Sequence, residues 1–179
     1  MKAAISIPCI FICLLIAANY AVAVHYEDFS YEDVREHAPY GNTHLRLLGT
    51  DRSIDRSHSV RGSPYDLHIF ANLNESFASM TSDECYLELQ NASLIPDDVR
   101  VGRLQLNNKR SKIKRDFKNE LGSSFSYSNI NLDYLDYSLQ GTIVASDRCE
   151  QNVQHEIMIK IQRRHTNERI TLWDMLLGI

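Results

Sequence analysis

Residues 153–161 read Val-Gln-His-Glu-Ile-Met-Ile-Lys-Ile, and this stretch decides the fold class. Counting from Val153, every second residue is β-branched and apolar, apart from His155. The residues between them are polar, apart from Met158. A period of two with β-branched residues on one side is typical of a strand with one buried face and one solvated face.

The same alternation recurs upstream in the chain. It is carried by two sets of residues, Tyr65, Leu67 and Ile69, and Cys85, Leu87 and Leu89. Long helical crossovers are largely missing between these stretches, so a doubly wound parallel sheet is disfavoured. We therefore predict a mainly β, antiparallel sandwich or barrel-like domain over residues 64–179. Residues 130–144 are also apolar, but their alternation slips near Asp133, which indicates a bulge or a hairpin turn.

One short helix is expected within this domain. Ile113, Phe117 and Leu121 lie four residues apart, which places them on one helical face, while Ser111 is a suitable cap and Gly122 a suitable end. The C-terminal stretch from Ile170 onward is compatible with either a strand or a short helix anchored by Trp173.

The first 23 residues have the pattern of a secretory signal peptide. Lys2 is followed by an apolar run, and Ala21-Val22-Ala23 is the small-x-small motif that signal peptidase requires. The run is too short to span a bilayer with any margin. We expect cleavage before Val24 and a secreted mature chain without a membrane span.

Residues 24–63 are mostly polar, with an apolar cluster at Leu45, Leu47 and Leu48. Because such a segment buries little apolar surface, we expect a largely flexible arm ahead of the domain. The arm holds four of the seven histidines, His25, His37, His44 and His58. No two of them have i, i+3 or i+4 spacing, so we predict solvated histidines and no metal site.

Removal of the signal peptide determines which cysteines remain in the mature chain. Cys9 and Cys13 leave with it, so the mature chain keeps Cys85 and Cys149 as a single possible pair. Two thiols in an oxidising compartment usually join. We predict a disulfide between them. Two buried free thiols are the alternative.

The chain contains two N-x-S sequons, Asn74-Glu75-Ser76 and Asn91-Ala92-Ser93, and secretion would make both available for glycosylation. In a eukaryotic secretory pathway they are candidate N-glycosylation sites, and a glycosylated asparagine must be exposed.

The most pointed local feature is a basic run, Lys109, Arg110, Lys112, Lys114 and Arg115. Three interpretations are open. It is the solvated face of the predicted helix, or an anionic-surface patch for glycans or lipid headgroups. Alternatively, a convertase cleaves after Arg115 and leaves two chains joined by the disulfide.

Several function classes are disfavoured. The chain has 179 residues, 44% hydrophobic and 23% charged, which is a globular composition. Its net charge of −4 argues against a nucleic-acid partner. It contains no G-x-S-x-G elbow, P-loop or dinucleotide glycine pattern. We therefore expect neither an enzyme nor a cofactor.

Phe125, Tyr127, Tyr134 and Tyr137 are candidates for lining a ligand cavity, although packing in a β core is the commoner use of such residues. Residues 135–141, Leu-Asp-Tyr-Ser-Leu-Gln-Gly, are similar to a strand of arthropod secreted carriers of the takeout and juvenile-hormone-binding type. The N-terminal cysteine pair of those carriers is missing here, so no residue role is transferred.

The function we predict is non-enzymatic extracellular recognition of a protein or glycan by a disulfide-linked β domain. The alternatives are a carrier of a small apolar ligand in a β cavity, and a secreted precursor cleaved after Arg115.

Overall fold

In a computed structural model, which describes residues 6–21, 23–77, 84–115 and 120–178, the chain is mainly β with two sheets. The predicted fold class is confirmed. In chain order the elements are α1 (Ser6–Ala21), β1 (Val24–Tyr31), β2 (Val34–Ala38), β3 (Gly41–Ser53), β4 (His58–Leu73), β5 (Tyr86–Pro96), β6 (Leu104–Gln105), β7 (Lys109–Lys112), β8 (Lys114–Arg115), β9 (Leu121–Ile130), β10 (Tyr137–Ala145), β11 (Gln154–Ile161), β12 (Arg163–Ile170) and α2 (Leu172–Leu177).

The chain divides into two compact units. Unit 1 comprises Met1–Phe29, Asp51–Gly62 and His165–Ile179, and unit 2 comprises Ser30–Thr50 and Ser63–Arg164. The predicted domain boundary at Pro64 falls inside β4, close to one of these divisions.

Unit 2 contains two sheets. In sheet 1, β2 pairs with β3, β3 with β4, β4 with β9, and β9 with β8. Sheet 2 has the order β11-β10-β5-β6, and β7 also pairs with β5. The β10–β11, β10–β5 and β4–β9 pairs are all antiparallel.

The core of unit 2 lies between these sheets. Alternate residues of β4, from Tyr65 to Leu73, are buried, as are Leu87 and Leu89 of β5. In β11 the buried positions include Ile157, which belongs to the set predicted from period two. Burying one such aliphatic side chain stabilises the fold by about 1.5–3 kcal/mol. The apolar residues of each strand therefore determine which face of the sheet points into the core.

Residues 24–63 correct the expectation of a flexible arm. The structure has β1, β2, β3 and the beginning of β4 in this segment. Its polar composition misleads because a paired strand satisfies its backbone hydrogen bonds through its neighbours and needs only one apolar face. In β3 that face consists of Thr43, Leu45 and Leu47, which are all buried.

The predicted helix around Ile113 is replaced by strands. Residues 109–112 and 114–115 form β7 and β8, and β9 begins at Leu121. Phe117 lies outside the described residues. The spacing misleads because Ile113 and Leu121 are both buried, but they lie in different segments of a β structure.

Two ambiguities in the sequence are resolved. Residues 131–136 connect β9 to β10, so the slip near Asp133 marks a turn between strands. The C-terminal stretch forms the short helix α2, which contains Trp173. Thr171 and Asp174 form a reciprocal capping box at its start, and Gly178 ends it at φ 68°. Among the described residues, no helix is both long enough and apolar enough to cross a bilayer.

Candidate functional site

The basic run forms a corner between the two sheets of unit 2. We refer to residues 109–115 as the basic corner. Its first strand, β7, pairs with β5 in sheet 2, and its second, β8, pairs with β9 in sheet 1. Ile113 lies between the two strands and is 4% exposed. The chain thus crosses from one sheet to the other at a buried residue, with cationic residues on both sides of it.

Hydrogen bonds to β9 fix the corner. The Ser123 hydroxyl donates to the backbone carbonyl of Ser111 at 2.9 Å. The backbone N–H of Ser124 donates to the hydroxyl of Ser111 at 3.3 Å. Ser111, expected to be a helix cap, therefore links two strands.

Lys109 and Arg110, the first two residues of the corner, are held by different neighbours. Arg110 lies 3.6 Å from the Glu88 carboxylate, and its guanidinium lies over the ring of Tyr86, 5.1 Å from the centroid. Lys109 points to the other side of the strand. Its ammonium lies 4.5 Å from the centroid of Tyr127 and donates to a backbone carbonyl of β9. Lys109 is therefore committed to packing against β9.

The remaining cations of the corner are exposed. Arg115 pairs with Glu75 at 3.2 Å. Lys112 and Lys114 are both exposed residues.

A solvent-open groove of about 620 Å³ runs along the basic corner. Arg110, Lys112, Lys114 and Arg115 all line it, so the structure brings four of the five predicted basic residues together. Phe70, Asn72 and Glu120 also line the groove, together with the serines of β9 and β7. The groove thus offers four cations, one carboxylate, hydroxyl and amide donors, and one aromatic side chain.

The extended conformation of the basic corner affects whether a convertase could cleave after Arg115. A convertase binds its substrate as an extended chain, and this segment is already extended. It is also hydrogen-bonded on both sheets, so a protease would first have to detach β7 and β8. Cleavage after Arg115 stays a prediction.

The aromatic residues considered for a cavity are mostly packed in the core. Phe125, Tyr127 and Tyr137 are buried, and Tyr134 is 43% exposed. The Tyr127 hydroxyl donates to the backbone carbonyl of Asn107 at 2.8 Å, and burial raises the pKa of Tyr127 to about 12. Three of these four side chains therefore contribute to packing.

The predicted cysteine pair is at bonding distance. Cys85 and Cys149 form a disulfide, with S–S 2.18 Å and Cα–Cα 4.8 Å. Cys85 immediately precedes β5, and Cys149 lies between β10 and β11. Since β5 and β10 are neighbours in sheet 2, the bond joins the ends of adjacent strands that are distant in sequence.

Both sequon asparagines are exposed. Asn74 follows β4 and precedes Glu75, the partner of Arg115, so a glycan there would lie next to the basic corner. Asn91 sits at a register irregularity of β5 with φ 52°, a left-handed conformation that asparagine tolerates.

A second cluster, in unit 1, was missed in the sequence. His25 and Glu27 of β1 lie beside His58 of β4, and each imidazole Nε2 is 3.4 Å from the same Glu27 oxygen. The Nε2 of His165, on β12, lies 3.8 Å from the other Glu27 oxygen. We call these four residues the histidine cluster. The His-x-Glu alternation at the start of β1 was its only local signal.

Comparisons of the chain with protein-family models, with curated proteins and with solved structures find no match. Functional assignment therefore depends on the geometry of the basic corner and the histidine cluster.

Proposed function

We propose that the chain is a secreted, non-enzymatic binding protein that recognises an anionic extracellular ligand, a sulfated or carboxylated glycan, at the basic corner. The observation that carries the proposal is the groove of about 620 Å³ lined by Arg110, Lys112, Lys114 and Arg115. That volume lies within the range of about 300–1,000 Å³ typical of ligand sites.

Support for secretion comes from α1 and the disulfide. Large apolar side chains of α1, among them Phe11 and Leu14, are more than half exposed, as expected of a segment that is not part of the folded core. β1 begins at Val24, directly after the small-x-small motif. A disulfide is typical of proteins that mature in an oxidising compartment.

The acidic neighbours of the corner do not prevent anion binding. Glu88, which is 20% exposed, pairs with the exposed Arg110, and the exposed Glu75 pairs with Arg115. Each pair thus has one solvated partner, and such solvated ion pairs contribute only about 0–1 kcal/mol each. A sulfate or carboxylate can therefore replace a glutamate at little cost. The planar guanidinium groups would bind such anions through paired hydrogen bonds, and the lysines would add charge.

Heparin-affinity chromatography with a salt gradient tests the proposal. We expect the wild-type protein to be retained near physiological ionic strength, about 0.15 M. The Lys112→Gln/Lys114→Gln variant should elute at clearly lower salt, because two of the cations lining the groove are lost.

The matched control is Arg52→Gln/Arg56→Gln, which removes the same charge from exposed positions of unit 1. It should elute close to the wild type. If the wild type passes through the column, or if both double variants shift equally, the basic corner is not the ligand site.

A further inference from the structure

We infer that the histidine cluster is a zinc site, in which His25, Glu27 and His58 supply three ligands to one Zn²⁺ ion, and His165, beside the other Glu27 oxygen, closes in as the fourth on binding. All four residues lie in unit 1, and their side chains converge on one carboxylate. This site is independent of the basic corner and of its proposed ligand.

Strand geometry explains the convergence. Side chains two apart on a strand share a face, so His25 and Glu27 of β1 point the same way. β4 pairs with β1 in parallel, and His58 lies directly opposite His25 in the register. The two imidazole rings meet edge to face with centroids 4.8 Å apart.

The fourth ligand is held by stacking. Phe29 is two residues beyond Glu27 and therefore on the same face of β1. The His165 ring stacks on Phe29 with centroids 4.3 Å apart and an interplanar angle of 3°. This contact holds the imidazole of His165 beside Glu27, since β12 neighbours β1 in the sheet.

The distances fit a metal better than they fit hydrogen bonds. The N···O separations of 3.4, 3.4 and 3.8 Å are longer than the usual 2.7–3.2 Å of an N–H···O hydrogen bond. Two ligands bound tetrahedrally at about 2.0–2.1 Å are separated by roughly 3.3 Å. One ligand atom each from His25, Glu27 and His58 also lie within 4.8 Å of one another.

One unsatisfied atom points to the same conclusion. The Nε2 of His58 is shielded from solvent and has no hydrogen-bond partner. Buried polar atoms are almost always paired, so an orphan one calls for an explanation. A cation bound between His58 and Glu27 would accept its lone pair.

The donor set selects the ion. Three imidazole nitrogens and one carboxylate oxygen suit Zn²⁺, whereas Ca²⁺ and Mg²⁺ prefer oxygen ligands throughout. Four protein ligands would close the coordination sphere, which is typical of structural zinc. The ion would thus tie together β1, β4 and β12 within unit 1.

Calorimetric titration with ZnCl₂ at pH 7.4 tests the inference. The protein is produced in secreting eukaryotic cells, stripped with EDTA and dialysed against metal-free buffer. We expect one Zn²⁺ per chain, no heat from CaCl₂, and a higher melting temperature with zinc. Glu27→Gln and His58→Gln should each weaken binding at least about tenfold, since even outer-shell partners of metal ligands are worth that much.

His68→Gln is the matched control. His68 is another β4 histidine, but its Nδ1 lies 2.9 Å from the Ser126 hydroxyl in unit 2, so zinc affinity should not change. His165→Gln decides the matter if His58→Gln does not fold, because His165 is 42% exposed. No zinc binding in the titration, or equal binding by the wild type and the ligand variants, would overturn the inference.

Discussion

Removing the disulfide should cost the protein much of its stability. The Cys85→Ala/Cys149→Ala variant opens a cross-link between residues 64 positions apart. In the chain-entropy account, closing a loop of about 65 residues stabilises the folded state by about 4 kcal/mol. Cys85 is also 1% exposed, so losing its sulfur removes buried packing worth about 1 kcal/mol.

Urea unfolding followed by far-UV circular dichroism measures this loss. We expect the free energy of unfolding to fall by about 4–5 kcal/mol, a large part of the 5–15 kcal/mol typical of a domain. Reducing the wild-type protein should reproduce most of the change. Cys85 and Cys149 are the two cysteines of the mature chain that begins at Val24, so the double variant leaves no thiol that could form a different bond. A double variant within about 1 kcal/mol of the wild type would refute the reasoning.

Two further predictions concern the β2–β3 turn and the pH dependence of stability. Gly41 has φ 150°, and a Cβ atom there would lie 2.0 Å from the Asn72 carbonyl oxygen, so Gly41→Ala should lower the unfolding free energy by at least about 2 kcal/mol. Gly102→Ala, which meets nothing within 4 Å, is the control, and equal urea midpoints for the two variants would contradict the prediction. Burial raises the pKa of Tyr127 from 10.0 to about 12, so the neutral phenol stabilises the fold fully below pH 10, and this contribution is lost as pH rises toward 12. Tyr127→Phe should therefore flatten the fall in stability between pH 10 and 12 in urea titrations, and an unchanged slope would exclude this role.

The strands of unit 2 were predictable where one face is apolar and the other polar. In β4, the positions of Leu67 and Ile69 alternate with those of His68 and Phe70, and the first pair is buried. Burial imposes this pattern because a strand slipped by one residue would expose its whole apolar set. The alternation that predicts these strands is therefore a direct consequence of the apolar burial that stabilises the sheet.

The N-terminal strands cannot be predicted from composition, because only the alternation of apolar and polar residues indicates them. By composition, Leu45, Leu47 and Leu48 form one apolar cluster. In β3, Leu45 and Leu47 are buried, whereas Leu48 is 41% exposed. A period of two beginning at Thr43 was thus present in a segment that is otherwise polar. Average hydrophobicity cannot detect such a strand, because half of its residues face solvent.

The basic corner was identified by composition but assigned the wrong secondary structure. Spacings of four residues favour a helix only if all the apolar residues share one element. Here Ile113 fills the core at the crossing between β7 and β8, and Leu121 begins β9. At Ile113 the chain passes from sheet 2 to sheet 1. No local sequence pattern indicates this passage, because it depends on the pairing of β7 with β5 and of β8 with β9.

The histidine cluster was hidden for a different reason. Short metal-ligand spacings describe helices and tight turns, where neighbours in sequence are neighbours in space. A sheet instead assembles ligands through register, and the parallel pairing of His25 with His58 joins strands separated by two others in the chain. A shift of one residue in β1 would turn His25 and Glu27 to the opposite face from His58. Zinc bound by all three side chains would therefore also report that β1 has this register in solution.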